Sequence, residues 1–171
     1  MRKVKHIDNE YSISEAYRYL ANAKDTLSKS PIEYGRYTDS KYVREAAGMA
    51  YLSALKALDI YLISVGIDKG KLPKSIDGYW NLIHKNIPLN GKLSAAVSIV
   101  YENMHVDAYY RGHTGVGLVK EGFENARKII IMINKLMDKT SGVQNMVCEP
   151  ETKHRKACPE RSRRVKNEKK K

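Results

Sequence analysis

The chain has 171 residues, of which 42% are hydrophobic and 29% are charged, so its length and composition suit a single globular domain. Both cysteines, Cys148 and Cys158, lie at or beyond the end of the last periodic segment, which excludes a disulfide framework for the core. The longest uncharged stretch, residues 46–55, is far shorter than a membrane span.

The net charge of +12 is unevenly distributed along the chain. Residues 149–171 contain ten Lys and Arg and four Glu, so this short segment carries about half of the excess. Basic charge favours anionic partners, nucleic acid among them, through counterion release. No apolar segment follows the charged N-terminus, residues 1–6, so we expect no signal peptide and a cytoplasmic location.

Five segments carry the 3.6-residue apolar period of an amphipathic helix. They span residues 13–29, 41–65, 75–86, 91–110 and 116–137. Ser12 and Glu15 have the spacing of a capping box at the start of the first helix, and Gly66 is placed as a C-cap after the second. We therefore predict an all-α fold, an up-down bundle of four long helices and one short helix.

The second predicted helix is apolar most of the way round, which places it in the centre of the bundle. The segment before it, residues 31–40, is rich in turn-forming residues and is predicted to be a loop. We recognise no strand pair or hairpin signal anywhere in the sequence.

The apolar period ends at about Ser141. We divide the chain into a helical domain, residues 1–140, and a basic tail, residues 141–171, which is too polar to bury the surface that folding requires. An RNA-binding arm is the functional interpretation of the tail. A dispensable, solvated appendage is the interpretation that we prefer.

Three stretches of the chain resemble the HEPN domain, a bacterial and archaeal helical bundle found in toxins, RNases and nucleotide-linked modules. The stretches are residues 16–27, residues 46–58 with the glycine that follows them, and residues 107–113 with the closing helix at 124–129. Together they span roughly residues 12–138. The resemblance implies a helical bundle that forms a homodimer.

HEPN RNases use an Arg, four to six variable residues and a His at the end of the penultimate helix, and their dimers bring two such pairs into one metal-independent cleft. In this chain only Gly112 separates Arg111 from His113. The resemblance therefore makes Arg111 and His113 the candidate catalytic residues, with Arg111 on a phosphate and His113 as acid or base. The compressed spacing favours the alternative, a helix-end Arg and a loop His without a catalytic role.

Further candidate binding residues surround this pair. Arg44 gathers with Tyr109 and Tyr110 if the second and fourth helices pack side by side, and basic groups interleaved with aromatic rings suit single-stranded RNA or nucleotides. Glu102 and His105 have the Glu-x-x-His spacing of di-iron bundles, but the sequence has no second copy of this motif. A local hydrogen bond or an exposed pair explains the spacing as well, and we predict Glu102 and His105 as binding residues, not as metal ligands.

Metal and cofactor chemistry have no other support in the sequence. Cys148, His154 and Cys158 supply three ligands at no recognised metal-binding spacing. Gly112, Gly115 and Gly117 fit neither a Walker nor a Rossmann phosphate loop. We predict no metal and no cofactor.

The sequence leaves three functions open. The first is a non-catalytic HEPN-like bundle, a homodimer that acts through an RNA or protein partner and not at a membrane. The second is a metal-independent endoribonuclease that uses Arg111 and His113. The third is a structural or assembly protein. One bundle hosts many unrelated functions, so the fold alone does not decide between them.

Overall fold

The computed structural model describes residues 11–87 and 90–144, and this part of the chain is predominantly helical, as predicted. The helices are α1 (Ile13–Leu27), α2 (Ser40–Ser64), α3 (Ile76–Asn86), α4 (Gly91–Val100) and α5 (Val116–Gln144). A π-helical segment, Tyr101–Tyr110, continues α4 directly. The other elements are strands β1 (Ile32–Glu33) and β2 (Arg36–Tyr37) and a short 3-10 turn, Lys69–Lys71.

Helix α2 is the central element and packs against α1, α5 and the π-helical segment. The carboxylate of Asp39 caps its start by accepting a hydrogen bond from the Lys41 amide at 2.9 Å. The helix ends where Gly66 adopts a φ of +96°, close to the predicted C-cap. Its buried side chains include Val43, Ala46, Ala47, Ala50, Ala54, Ala57, Leu58 and Leu62. These residues form the middle of the core.

By its length and composition alone, α2 could also cross a membrane. This was not expected from the sequence, because the uncharged stretch within α2, residues 46–55, is much shorter than a membrane span. More than half of its most apolar window is buried within the bundle. The core helix of a soluble domain has the same property, so α2 is weak evidence for a membrane.

Helix α1 buries Ala16, Leu20 and Ala23, but the predicted capping box is wrong. The Ser12 side chain makes no capping hydrogen bond, and its hydroxyl lies 2.7 Å from that of Ser14. The Glu15 carboxylate instead accepts a hydrogen bond from Arg18 Nε at 2.8 Å. The carboxylate thus pairs with a side chain on its own helix, one turn further along.

Residues 31–40 are not simply a loop, and the expectation that the sequence forms no strand pair is wrong. Strands β1 and β2 form a small antiparallel hairpin in which Ile32 pairs with Tyr37. Tyr34 and Gly35, at its tip, have φ values of +48° and +74°. Two successive positive φ values are the signature of the tight turn that matches the twist of a hairpin.

Helix α3 is joined to α2 by side-chain hydrogen bonds. Its start is capped by Ser75, whose hydroxyl accepts from the Gly78 amide at 3.3 Å. The hydroxyl of Tyr61 on α2 donates to the Asn86 carbonyl at 3.2 Å. The Tyr79 hydroxyl donates to the carboxylate of Asp59 at 2.7 Å. These bonds hold the short helix over the end of α2.

Helix α5 extends to Gln144, beyond the predicted end at residue 137 and into the predicted tail. Each added residue of a formed helix gains one hydrogen bond, so a helix can continue past its apolar stripe. The rest of the predicted tail, including Cys148, His154 and Cys158, lies outside the described residues. So does the N-terminal segment, residues 1–6, for which no signal peptide is expected.

Candidate functional site

The penultimate helix changes its hydrogen-bonding pattern where the candidate residues begin. From Tyr101 to Tyr110 the backbone is π-helical over ten residues, and the Arg111 amide bonds to the Val106 carbonyl, five residues back, at 2.9 Å. Most π-helices are single-turn bulges, and they occur frequently at functional sites. The sequence predicted an uninterrupted α-helix here, because apolar periodicity does not distinguish the two forms over ten residues.

An aromatic column covers one side of the π-helical segment. The ring of His105 stacks on Tyr51 of α2 at a centroid distance of 4.7 Å, and it also stacks on Tyr101 at 5.5 Å and on Tyr109 at 6.0 Å. Burial of the Tyr51 hydroxyl raises its pKa above the ordinary tyrosine value. His105 is therefore a half-buried packing residue, surrounded by three rings.

Glu102 lies apart from this column and is exposed to solvent. Among residues 11–87 and 90–144, no group of three His, Cys, Asp or Glu side chains is placed to hold a metal ion. His105 therefore has a packing role in the aromatic column. The Glu102 side chain makes no hydrogen bond or ion pair with another described residue.

Arg44 reaches from α2 to the end of the π-helical segment. Its Nη1 donates to the carbonyls of Tyr109 at 2.8 Å and Tyr110 at 3.0 Å. Carbonyls at a helix end have no partner within the helix, so Arg44 satisfies two of them. The guanidinium also lies beside Gly112, where the Cζ of Arg44 would be 2.9 Å from an added Cβ. Arg44 thus positions the backbone of the candidate site.

Arg111 and His113 are both connected to Asp107, but by different groups. Arg111 Nη1 donates to the Asp107 carboxylate at 2.9 Å, and the Arg111 side chain is still 70% exposed. The His113 amide donates to the Asp107 carbonyl at 2.9 Å. The His113 ring accepts a hydrogen bond at Nδ1 from the Gly115 amide at 3.2 Å, so the neutral ring carries its proton on Nε2. The two side chains therefore have different partners, the Asp107 carboxylate for Arg111 and the Gly115 amide for His113.

The β1–β2 hairpin pairs with the loop that carries His113. The Tyr37 amide donates to the Thr114 carbonyl at 2.9 Å, and the Val116 amide donates to the Gly35 carbonyl at 3.0 Å. Arg36 and Gly115 form an antiparallel bridge between these bonds. The hairpin is thus fixed beside the candidate catalytic pair, although residues 33–37 are about 80 residues away in sequence.

We call the exposed aromatic and basic side chains of the hairpin and of residues 109–113 the loop-end surface. Its members are Tyr34, Arg36, Tyr109, Tyr110, Arg111 and His113. Tyr34 is fully exposed, Tyr110 is 74% exposed and Tyr109 is 45% exposed. Tyr34 and Arg36 were missed in the sequence. The Tyr-Gly pair inside a turn-rich segment was the only local signal for them.

Comparisons with known proteins show the family to which this chain belongs. Residues 11–135 match the family described as "Domain of unknown function (DUF5618)". A solved structure of a protein of unknown function from Dyadobacter fermentans is similar, with 37% sequence identity and a TM-score of 0.63, over 72% of this chain and 94% of that chain. No curated protein matches the sequence. The family match covers well over half of the chain, and the protein therefore belongs to the DUF5618 domain family.

Proposed function

We propose that this domain is a non-catalytic, HEPN-like helical bundle that binds single-stranded RNA at its loop-end surface. The observation that carries the proposal is the pairing of the hairpin with residues 114–116, because it joins the segment of Tyr34 and Arg36 to the loop that follows Tyr109, Tyr110 and Arg111. Exposed tyrosines bind RNA by stacking on its bases, and guanidinium groups bind the phosphates. The same surface contains both types of side chain.

The absence of catalysis is part of the proposal. In active HEPN RNases an Arg and a His converge on one phosphate, and here the described contacts tie Arg111 to Asp107 and the ring of His113 to Gly115. One observation favours the alternative endoribonuclease. The hydrogen bond at Nδ1 leaves the exposed Nε2 of His113 as the nitrogen that exchanges protons with a ligand.

A homodimer in the cytoplasm completes the proposal. A groove of about 390 Å³ between α4 and α5 supports the dimer. The groove is mostly apolar and is lined by Lys92, Ala95, Ala96, Ile99, Asn125, Lys128, Ile131 and Met132. Apolar surface of this kind is typical of contacts between protein chains. An assembly role without RNA is the remaining alternative, and it requires this groove but not the loop-end surface.

The test is the affinity of the full chain for a fluorescein-labelled, single-stranded RNA, measured by fluorescence anisotropy. Tyr110→Ala removes a stacking platform and is expected to weaken binding by about 5- to 150-fold, since stacking contributes about 1–3 kcal/mol per base. Tyr110→Phe keeps the ring and is expected to retain most of the affinity. Tyr17→Ala is the matched control, because Tyr17 is a partly exposed tyrosine on α1.

The basic tail needs its own control. A variant with Arg161, Arg163 and Arg164 all changed to Gln tests whether the tail binds the RNA instead. Loss of binding in this variant, together with normal binding by Tyr110→Ala, would contradict the proposal.

Cleavage is measured on the same RNA in EDTA, beside the double variant Arg111→Ala/His113→Ala. Intact RNA after incubation with the wild-type chain is the expected result. Cleavage that the double variant abolishes would replace our proposal with the endoribonuclease.

A further inference from the structure

A second concave site, lined by other side chains than the loop-end surface, lies between α1, the β1–β2 hairpin and α5. It has a volume of about 540 Å³, within the range of small-molecule sites. Tyr37 and Phe123 form its buried floor, and Leu27 and Ile32 contribute apolar walls. These side chains provide an apolar environment that is open to solvent on one side.

Basic side chains surround the opening of this cavity. They are Lys24 from α1 and Lys120 and Arg127 from α5, with Glu124 as the one carboxylate that lines the site. Within the described part of the chain, no carboxylate lies at ion-pairing distance from these three cations. Glu124 is spaced to pair with Lys120 or Arg127 on the helix, yet it bonds to neither. The rim therefore has an excess of positive charge.

Lys24 and Arg127 belong to two adjoining spaces. A neighbouring groove of about 380 Å³ continues along α1 and α5 towards Tyr17, and it shares only Lys24 and Arg127 with the cavity. The two cations come from different helices, and each of them lines both spaces. An acidic group placed between them would contact both, and its apolar body would extend over Phe123.

Ser30 adds a polar group to the floor. Its residue is only 4% exposed, and its Oγ accepts a hydrogen bond from the Asp39 amide at 2.9 Å. Among the described residues the Ser30 hydroxyl has no acceptor for its own proton. A buried donor of this kind favours a ligand that carries an acceptor.

We infer that the cavity between α1, the hairpin and α5 binds a small organic anion with one acidic group and an apolar body. The acidic group binds between Lys24 and Arg127, and the apolar body packs on Phe123 and Ile32. This site is separate from the RNA surface and does not depend on the proposed function.

The test uses the fluorescent aryl sulfonate 1-anilinonaphthalene-8-sulfonate as probe, beside the neutral N-phenyl-1-naphthylamine, which lacks the sulfonate. Both are titrated into the full chain. We expect the sulfonate to bind with one-to-one stoichiometry and to be displaced by decanoate but not by decanol. Equal affinity for the charged and neutral probes would overturn the proposal, because the cations would then contribute nothing.

Two neighbouring residues of α5 provide a matched pair of variants. Arg127 lines the cavity, whereas Lys128 lines the groove on the α4 side. Arg127→Gln is expected to weaken sulfonate binding by about 10- to 150-fold, since it removes a hydrogen bond between two charged groups, and Lys128→Gln is expected to leave it unchanged. Equal effects of the two variants would overturn the site.

A third variant covers the case in which Arg127→Gln perturbs folding. Ile32 is 52% exposed on a two-residue strand, so Ile32→Glu places a carboxylate in the wall of the cavity at little cost to the core. Its thermal unfolding is measured first, because partly unfolded proteins also bind such dyes. A cooperatively folded Ile32→Glu variant that binds the sulfonate as well as the wild type would contradict the assignment.

Discussion

At the scale of single residues, Gly112 and Arg44 determine how the candidate loop leaves the π-helical segment. Gly112 has a φ of +74°, and a Cβ there would lie 2.9 Å from the Cζ and Nε atoms of Arg44. Gly35 has the same φ, but no atom lies within 4 Å of its added Cβ. The two glycines therefore separate the cost of backbone strain from the cost of displacing Arg44.

We predict that Gly112→Ala destabilises the fold more than Gly35→Ala does. Each substitution carries about 1–2 kcal/mol of left-handed backbone strain. Gly112→Ala also disrupts the hydrogen bonds from Arg44 to the carbonyls of Tyr109 and Tyr110, which adds about 1–3 kcal/mol. Urea denaturation followed by circular dichroism measures both costs.

The control for this prediction is the Arg44→Ala background. There Gly112→Ala is expected to cost no more than Gly35→Ala costs in the wild type. An undiminished difference would show that Arg44 is not the cause.

A second residue-scale prediction concerns the bond between Tyr79 and Asp59. Burial and the hydrogen bond to Asp59 raise the pKa of Tyr79 well above the ordinary value of 10, and burial raises the pKa of Asp59. The folded chain therefore holds the Tyr79 proton more tightly than the unfolded chain does. Its contribution to stability is complete below pH 10, and it is lost as the pH rises further.

We expect the free energy of unfolding to decrease above pH 10, and to decrease less steeply in Tyr79→Phe. At pH 7 this variant is expected to be about 1–3 kcal/mol less stable, because the Asp59 carboxylate loses its buried donor. Tyr34→Phe, at the exposed hairpin tip, is the control and should follow the wild type. Identical alkaline slopes for Tyr79→Phe and the wild type would rule out this linkage.

Some residue roles could be read directly from the sequence, and others could not. Gly66 and Ser75 end and begin helices through local chemistry, so their positions were predictable. The Arg44 bonds span 65 and 66 residues of sequence, and no local pattern indicates which carbonyls a guanidinium will reach. Ser12 and Glu15 have the capping-box spacing without the Ser12 capping bond, and Glu15 pairs with Arg18.

At the scale of elements, the π-helical segment is held against α5 by a close contact. Met104 is fully buried, and a Cβ added at Gly122 of α5 would lie 2.8 Å from its Cγ and Sδ atoms. The glycine therefore allows the two helices to approach. Asn103 adds a hydrogen bond from its side-chain amide to the Leu118 carbonyl at 3.3 Å.

We predict that Gly122→Ala destabilises the domain by about 1–3 kcal/mol through overpacking against Met104. The matched control is Gly117→Ala on the same helix, where no atom lies within 4 Å of the added Cβ. That change should be neutral, or stabilising by up to about 1 kcal/mol, because alanine favours the helix. Chemical denaturation measures both.

A double-variant cycle with Met104→Ala tests the cause. Met104→Ala alone is expected to cost about 2–5 kcal/mol because it leaves a cavity. In that background Gly122→Ala should no longer be destabilising, since its methyl group has space to occupy. Additive costs of the two changes would contradict the contact.

Five helices were predictable because each has a long apolar period and local boundary signals. The β1–β2 hairpin and the π-helical segment were not predicted, because they lack such signals. The hairpin strands are only two residues long and depend on pairing with the loop at residues 113–116. The rings at positions 101, 105 and 109 are spaced by four residues, and this spacing fits an α-helix as well as a π-helix. The packing of His105 against Tyr51 joins two helices, so no local pattern predicts it.

At the scale of the whole molecule, α2 forms the core and leaves two separate sites on the surrounding elements. Its buried alanines bring α1 and the π-helical segment close, and α5 packs on the same helix. One site is the loop-end surface, and the other is the cavity between α1 and α5. The hairpin contributes Tyr34 and Arg36 to the first and Ile32 and Tyr37 to the second.

Binding of single-stranded RNA at the loop-end surface is best tested by photo-crosslinking of the full chain to RNA that contains 4-thiouridine. Mass spectrometry then identifies the crosslinked peptide. We expect crosslinks in the tryptic peptide 93–111, at Tyr109 or Tyr110, and loss of these crosslinks in Tyr110→Ala. Crosslinks confined to the basic segment 149–171, or to peptides of α3, would contradict binding at this surface.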